Sequence, residues 1–418
     1  MPNINPDRLL SDLRELRQFG ACGNGVVRQS LSQIDIASRR WLVQKLKEAG
    51  LEASIDGIGT VFGRSRASGK ALLIGSHTDT QPTGGWLDGA MGVIYGLEIA
   101  RAFGETPQTR DLAVDVASWI DEEGTFASFV GSRSFVGEDV DSLIEHARDK
   151  DGQAMRDAIR AAGLENEPRA RMEQGRYVAY LEPHIEQGGV LEASRKRIGV
   201  VTTIVGIREL EIVFSGQQNH AGTTPMKIRK DAAAALFAFA CQINSEFAHL
   251  TGPQTVWTIG QVELHPGAPS IVPGRAEMIL QFRDSNAAKL DELQARALAL
   301  VDAADAAGPV RVTATALKDA VAPTVMDAGL QKHIAAAAER HAPGAWISMP
   351  SGAGHDAQVI ATRIPSCMVF VPSIAGISHD FAEDTSEDDI ALGCQVAASA
   401  AESILRAARS SEVKPSRF

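Results

Sequence analysis

The sequence predicts an α/β fold interrupted by a smaller α+β domain, and three observations carry that expectation. Short apolar runs stop abruptly at glycine and polar clusters. Ala71-Leu72-Leu73-Ile74 ends at Gly75-Ser76-His77, and Leu112 to Ile120 runs into Asp121-Glu122-Glu123-Gly124. Such runs, with a helical pattern between them, suit buried strands of a parallel sheet. The middle of the chain then changes rhythm to β-α-β-β-α-β, the ferredoxin-like plan. From about Pro323 the α/β rhythm returns. The expected domains are therefore a discontinuous one, 1–207 with 322–418, and an insert at 208–321.

Taken in order, the first 50 residues read as helices. Residues 32–49 carry apolar side chains at helical spacing and end at Gly50, a C-terminal cap. Val61 to Gly63 is a short strand and Ala71 to Ile74 a buried one. Gly89 to Phe103 is a helix and Leu112 to Ile120 the next strand. In the insert, Arg208 to Phe214 alternates as a strand, Arg229 to Phe247 is an alanine-rich helix, and Thr255 to Leu264 and Arg275 to Phe282 are strands. Asn286 to Ala306 is the second helix, and Val310 to Ala316 the last strand. A helix at 329–341, a strand at 366–370 and a closing helix at 388–408 complete the larger domain. The polar residues after about Ser410 are expected to fray.

Composition excludes several classes. With 418 residues and 44% hydrophobic content, the chain can build a full core. No stretch approaches ~18 consecutive apolar residues, so no membrane span is expected. The opening MPNINPDRLLSDLREL lacks a charged segment followed by an apolar run, so a cytoplasmic protein without a secretory signal is expected. Acidic residues outnumber basic ones 52 to 41, for a net charge of −11, and there are no basic blocks. That disfavours nucleic acid as a partner. The four cysteines, Cys22, Cys241, Cys367 and Cys394, are too few and too scattered for a disulfide framework or a paired-cysteine metal site.

Without cysteine, candidate metal ligands are histidine and carboxylate, which zinc and similar divalent ions accept. His77 directly follows an apolar strand. Asp88 lies eleven residues later in Gly-Gly-Trp-Leu-Asp-Gly-Ala. Glu122-Glu123-Gly124 follows the next strand, His184 sits in Glu-Pro-His-Ile-Glu-Gln-Gly, and His379 in Gly-Ile-Ser-His-Asp. A lone histidine at a strand end is ordinary, and a Glu-Glu pair is more often solvated surface. Five such elements at glycine-flanked loops are more than coincidence supplies. A carboxylate can bridge two ions, two ions can activate one water, and a neighbouring acid held off the metal can act as base.

The motifs Gly-Ser-His-Thr-Asp, Gly-Gly-Trp-Leu-Asp-Gly, Glu-Glu-Gly, Glu-Pro-His-Ile-Glu-Gln-Gly, Asn-His-Ala-Gly-Thr-Thr-Pro-Met, Ser-Gly-Ala-Gly-His-Asp-Ala and Gly-Ile-Ser-His resemble the M20 metallopeptidase superfamily. More narrowly they resemble its amidase/hydantoinase/carbamoylase branch, which includes N-carbamoyl-L-amino-acid hydrolases, β-ureidopropionases and allantoate amidohydrolases. The likeness runs from about residue 10 to 408. It implies that the discontinuous α/β part is the metal-binding catalytic domain and the ferredoxin-like insert a dimerisation and lid domain. It also implies two divalent metal ions per subunit, zinc or manganese, cobalt or nickel, in a homodimer with a composite active site.

The resemblance implies roles for single residues. Asp88 would bridge the metals, with His77 and His184 on one and Glu123 and His379 on the other. Glu122 would be the general base. Asp79 would orient His77 through its carboxylate. His220, in Gln-Gln-Asn-His-Ala-Gly, would steady the oxyanion from the partner subunit. Arg283 would grip a substrate carboxylate with its guanidinium fork, and Gln187 and His355 would be further substrate contacts. Ser270 stands in Pro-Ser-Ile-Val-Pro-Gly where the family usually carries asparagine. Trp86, two residues from Asp88, either stacks against the substrate or packs. Glu-Glu-Gly-Thr-Phe-Ala-Ser also departs from the branch's commoner Glu-Glu-Gly-Ser-Arg-Phe.

The expected reaction is hydrolysis of a linear amide or ureido C–N bond in a carboxylate-bearing small molecule, foremost an N-carbamoyl amino acid, N-carbamoyl-β-alanine included. Allantoate hydrolysis shares every motif, and an aminoacylase or dipeptidase is a further alternative. A metal-free scaffold keeping the fold should have lost metal ligands, whereas all five are present.

Overall fold

The computed structural model describes residues 2–317 and 320–412. They form a mixed α/β structure that divides into two compact units, 1–202 with 326–418 and 203–325. The polar tail expected to fray lies largely outside the described residues, which end at 412.

The first unit opens with α1 (Pro6–Arg17), capped by the Asn5 side chain and started by proline, whose fixed φ suits a first helical turn. A two-stranded hairpin, Ala21–Cys22 with Gly25–Val26, then interrupts the expected run of helices. α2 (Gln33–Glu48) is capped by the Ser32 hydroxyl and stops before Gly50, which has φ +86°. β1 (Glu52–Ile55) and β2 (Val61–Arg64) pair antiparallel. β3 (Ala71–His77), α3 (Ala90–Glu105) and β4 (Ala113–Trp119) form the first parallel crossover. Both strands are buried along their whole length, as their continuous apolar runs require. Short helices α4 (Val130–Phe135), α5 (Asp141–His146) and α6 (Met155–Ala161) lead to β5 (Tyr177–Ile185) and β6 (Ile198–Ile204).

The second unit contains β7 (Gly206–Ser215), α7 (Ala232–Leu250), β8 (Val256–His265), β9 (Arg275–Asp284), α8 (Ala287–Ala307) and β10 (Arg311–Ala316). Its antiparallel sheet has the order β8-β9-β7-β10, the ferredoxin-like topology. Alternate residues of β7 and β9 turn inward: Leu210, Ile212 and Phe214 meet Ala276, Met278, Leu280 and Phe282 in a core closed by Phe239, Ile243 and Phe247 of α7. α7 begins at Ala232, later than the periodicity suggests, because the Asp231 carboxylate caps the Ala234 N–H and 226–228 form a separate 3₁₀ turn. The unit starts and finishes on paired strands, with Thr324–Val325 antiparallel to Thr203–Ile204. An insertion can leave through such a two-stranded stem without breaking the core of its host.

The first unit resumes with α9 (Ala328–His341), β11 (Trp346–Ser351), α10 (Asp356–Ile360), β12 (Ser366–Val371) and α11 (Glu387–Glu412). Its sheet runs β6-β12-β5-β3-β4-β2-β1, with β11 beside β6. The four central strands, β12, β5, β3 and β4, are parallel. β5 and β6 do not stand out in the sequence. Glu182-Pro183-His184 breaks the apolar run of β5, and proline inside a central strand argues against one. Pairing between β5 and β3 ends at Leu181, so Pro183 lies beyond that ladder and its missing N–H costs no bond there. All four parallel strands end on one edge, and open α/β sheets build their sites there.

Phe214 is fully buried and meets Phe239 edge-on at 5.6 Å. Phe214→Ala should therefore lower the stability of the second unit by about 3–5 kcal/mol. Denaturant unfolding followed by circular dichroism measures this, and a loss below about 1 kcal/mol would contradict the packing described.

Candidate metal centre

The carboxyl ends of the four parallel strands and the turn before α3 bring six of the expected residues together. His77 is the last residue of β3, and His184 is the next-to-last residue of β5. Glu122 and Glu123 follow β4, His379 follows β12, and Asp88 closes the turn before α3. Asp88 stands between two donor groups. Its Oδ1 lies 3.2 Å from His184 Nε2 and 3.7 Å from His77 Nε2. Its Oδ2 lies 3.3 Å from His379 Nε2. Glu123 Oε2 is 3.8 Å from His379 Nε2, and Glu122 Oε2 is 3.6 Å from His77 Nε2. Two sets of converging ligand atoms result, His77/Asp88/His184 and Asp88/Glu123/His379.

Backbone carbonyls set the tautomers of the two buried imidazoles. His77 Nδ1 lies 2.9 Å from the Asp79 carbonyl, and His184 Nδ1 lies 2.9 Å from the Ile185 carbonyl. Each Nδ1 must donate, so Nε2 is the nitrogen turned toward Asp88 and the one left for a metal. Gly89 lets this happen. Its φ is +62°, and a Cβ there would fall 2.3 Å from Cδ2 of His77. Its N–H also donates to His184 Nε2 at 3.2 Å.

The electrostatics describe a site short of positive charge. Burial opposes ionisation of Glu122, and Glu123, Asp356 and Asp88 add to that, so its pKa stands well above the usual value. Burial and the Asp88 charge push Glu123 up to about 7. Burial also disfavours the Asp88 anion, but three imidazoles outweigh it and hold its pKa well below normal. The hydrogen bond to Asp88 raises His379 to about 9. Burial works against a charge on His77, yet Glu122, Asp88 and Asp79 together hold its pKa well above normal. Among the described residues, no lysine or arginine nitrogen pairs with Asp88, Glu122 or Glu123, and buried anions need a partner of opposite charge. Divalent ions would supply it, and imidazole with carboxylate is a donor set that zinc, manganese, cobalt and nickel accept.

Relatives agree with this chemistry. Residues 73–403 match the profile of Peptidase family M20/M25/M40. The chain belongs to that family. An N-carbamoyl-L-amino acid amidohydrolase of Geobacillus stearothermophilus is 33% identical over 94% of this chain and 97% of its own. The allantoate amidohydrolase of Escherichia coli K12 is 34% identical over 92% of this chain and 94% of its own. A crystal structure of an amidase of the hydantoinase/carbamoylase family from Burkholderia phymatum is 59% identical, with a TM-score of 0.91 over 97% of this chain and 99% of that one.

Around the M20 centre the structure corrects one expectation and places three other residues. Asp79 orients His77 through its backbone carbonyl rather than its carboxylate, because the side chain points the other way, toward the Glu123 N–H and Arg39. His355 is buried, its Nε2 lies 2.8 Å from Ser351 Oγ, and its ring meets His184 edge-on at 4.5 Å. Burial holds its pKa well below normal, so the ring is neutral. Gln187, at φ +57°, donates from Nε2 to Asp88 Oδ2 at 3.0 Å and thus lies within the second donor group. Trp86 packs: its Nε1 donates to Asp384 and the Arg17 guanidinium covers its ring at 5.4 Å.

In the second unit, a short ladder pairs His220 with Ile271, and the Ala221 N–H donates to the Ser270 carbonyl at 2.9 Å. His220 and Ser270 are therefore held side by side. His220 Nδ1 accepts from the Gly222 and Thr223 amides at 3.0 and 3.1 Å, which leaves Nε2–H as a donor on an exposed ring. Arg283 sits within β9, half-buried, with Nε donating to Gln281 at 3.0 Å. Burial lowers its pKa, opposed by Glu209.

Sequence reasoning missed Gln81, whose amide donates to Glu123 Oε2 at 2.8 Å, and the buried acids Glu182 and Asp356. Glu182 accepts from Ser76 and from the Ala357 N–H, and burial pushes it up to about 7. Gln81, in Thr-Asp-Thr-Gln-Pro four residues after His77, offered the one readable signal.

Gly89→Ala should displace His77. The expected result is a folded protein with divalent-ion affinity reduced at least tenfold in a chelator-competition titration. Unchanged affinity would show that the close approach at Gly89 does not govern the centre.

Proposed function

We propose that this protein is a binuclear-metal amidohydrolase that cleaves a linear amide or ureido C–N bond in a carboxylate-bearing small molecule, foremost an N-carbamoyl amino acid. The observation that carries the proposal is Asp88, whose two oxygens each face a separate donor group. Its place within the amidase branch is supported by relatives named for N-carbamoyl-L-amino acids and by the Burkholderia phymatum amidase. Relatives named for allantoate, 31–34% identical, support allantoate as the second reading.

His77, Asp88 and His184 would hold one ion, and Asp88, Glu123 and His379 the other. Bound ions would lower the pKa of a water they hold and withdraw charge from the substrate carbonyl. Glu122, beside His77 but outside both donor groups, takes the proton from the attacking water. Water oxygen bonds to the carbonyl carbon, and the His220 Nε2–H donates to the oxygen as it gains charge. The C–N bond then breaks, and Glu122 returns its proton to the departing nitrogen. With an N-carbamoyl amino acid the products are the amino acid and carbamic acid, which decomposes to ammonia and carbon dioxide. Arg283 binds the substrate carboxylate and Ser270 is a further substrate contact, while Gln187 and His355 contact the substrate next to Asp88 and His184.

The second unit belongs to this proposal as a lid and dimerisation domain, with His220 serving the partner's site. Its edge strand β8 is exposed over much of its length, and α7 carries the exposed Phe237. A cytoplasmic location is part of the same proposal, supported by four cysteines that form no disulfide.

Three measurements test it. Chelated enzyme should lose activity and regain it with zinc or manganese. Glu122→Gln should keep its ions and lose about 10²–10⁴-fold in kcat; near-wild-type turnover would remove Glu122 as base. Arg283→Lys should raise KM more than it lowers kcat, because lysine cannot form the bidentate fork. Rates on N-carbamoyl-L-amino acids, N-carbamoyl-β-alanine, allantoate and N-acetyl amino acids then rank the substrates, and faster turnover of allantoate would favour the second reading.

A further inference from the structure

Arg39 lies on α2, has no solvent exposure, and spends every nitrogen of its guanidinium beneath the metal centre. Nε donates to both oxygens of Asp35 at 2.9 Å. Nη1 donates to the carbonyls of Gly59 and Ser118 at 3.2 Å and of Trp119 at 3.4 Å. Nη2 reaches the Trp119 carbonyl at 3.3 Å and Asp79 Oδ1 at 3.4 Å. Ser118 and Trp119 end β4, the strand from which Glu122 and Glu123 hang. Asp79 follows the end of β3, which carries His77.

Asp79 divides its two polar groups between the two donor sets. Its carbonyl accepts from His77 Nδ1 at 2.9 Å, and its Oδ2 accepts from the Glu123 N–H at 3.3 Å. A shift of Asp79 would therefore move one ligand of each set. The carboxylate is held from the far side by Arg39, and Asp35 orients Arg39 in turn. A buried arginine with this fan of contacts fixes two adjacent strand ends at once, which a lysine cannot do.

We infer that Arg39 is a positioning residue for both halves of the metal centre, coupling them through Asp79 so that its loss weakens both ions together. The inference rests on the proposed metal reading. It touches neither ligand side chains nor substrate, so activity alone would not separate it from a structural role.

The test titrates zinc and manganese into the full-length wild type and Arg39→Lys, by competition with a chromogenic chelator, with folding of the metal-free chains followed by circular dichroism. Arg176→Lys is the control. Arg176 is also buried, against Asp115, at the amino-terminal edge of the same sheet. Arg39→Lys should bind both ions at least tenfold more weakly, while Arg176→Lys stays within threefold of wild type. Affinities within threefold of wild type for Arg39→Lys, a loss confined to one ion, or an equal loss in Arg176→Lys would overturn the inference. If Arg39→Lys does not fold, Asp35→Asn with Arg39→Gln removes both buried charges together and faces the same criteria. Wild-type protein that takes up no ion overturns the metal reading itself, a result seen before any variant is made.

Discussion

The centre depends on one buried carboxylate. Asp88 is nearly inaccessible to water, yet its surroundings favour its charged form strongly, because three imidazole nitrogens lie within 3.2–3.7 Å of its oxygens. The fold explains how such a group can be built. Four parallel strands deliver His77, Glu122 with Glu123, His184 and His379 to a single edge, and the α3 turn places Asp88 among them. His77 and His184 stand on the last two residues of their strands, and Glu122, Glu123 and His379 on the loops beyond theirs, where the chain is free to turn. The apolar length of each strand below that edge supplies the rigidity.

Positioning falls mostly to the backbone. Two carbonyls fix the tautomers of His77 and His184, a glycine with positive φ lets the Asp88 turn touch an imidazole, and an amide of Glu123 is held by Asp79. Backbone groups of a packed sheet move little, so they hold ligands with less entropy loss than long side chains would need. The side chains added around them, Gln81 on Glu123 and Gln187 on Asp88, stand where the ligand comes from a loop rather than a strand.

That division also explains what the sequence could disclose. The five candidate ligands were legible because residue type and flanking glycine mark them, and the insert was legible because its strands and helices follow a β-α-β-β-α-β rhythm in which Leu210 and Ile212 alternate with Glu209 and Glu211. β5 was hidden, because the polar residues that serve the centre erase its strand pattern. Asp79 was found but its acting atom was not: a carbonyl belongs to every residue, and only its direction in space tells. Arg39 and Arg40 are identical in the sequence, yet the first is buried and the second exposed. The motif around His355, Gly-Ala-Gly-His-Asp, gives no hint that the ring turns inward against His184.

A centre built this way treats the carbonyl of any linear amide or ureide much alike, since it touches only the reacting group. Selection must come from groups that meet the rest of the substrate, and the residues proposed for that lie in the second unit. There, too, tautomer and placement are set by the backbone: His220 takes two amide hydrogen bonds at Nδ1, and Ser270 gives its carbonyl to the same ladder. What remains variable is the Ser270 hydroxyl, a shorter group than asparagine with one donor instead of two. The departure expected at Ser270 therefore falls on a side chain beside His220, apart from the residues that form the two donor groups. A change confined there can alter which substrate is held while leaving the bond-breaking chemistry as it was.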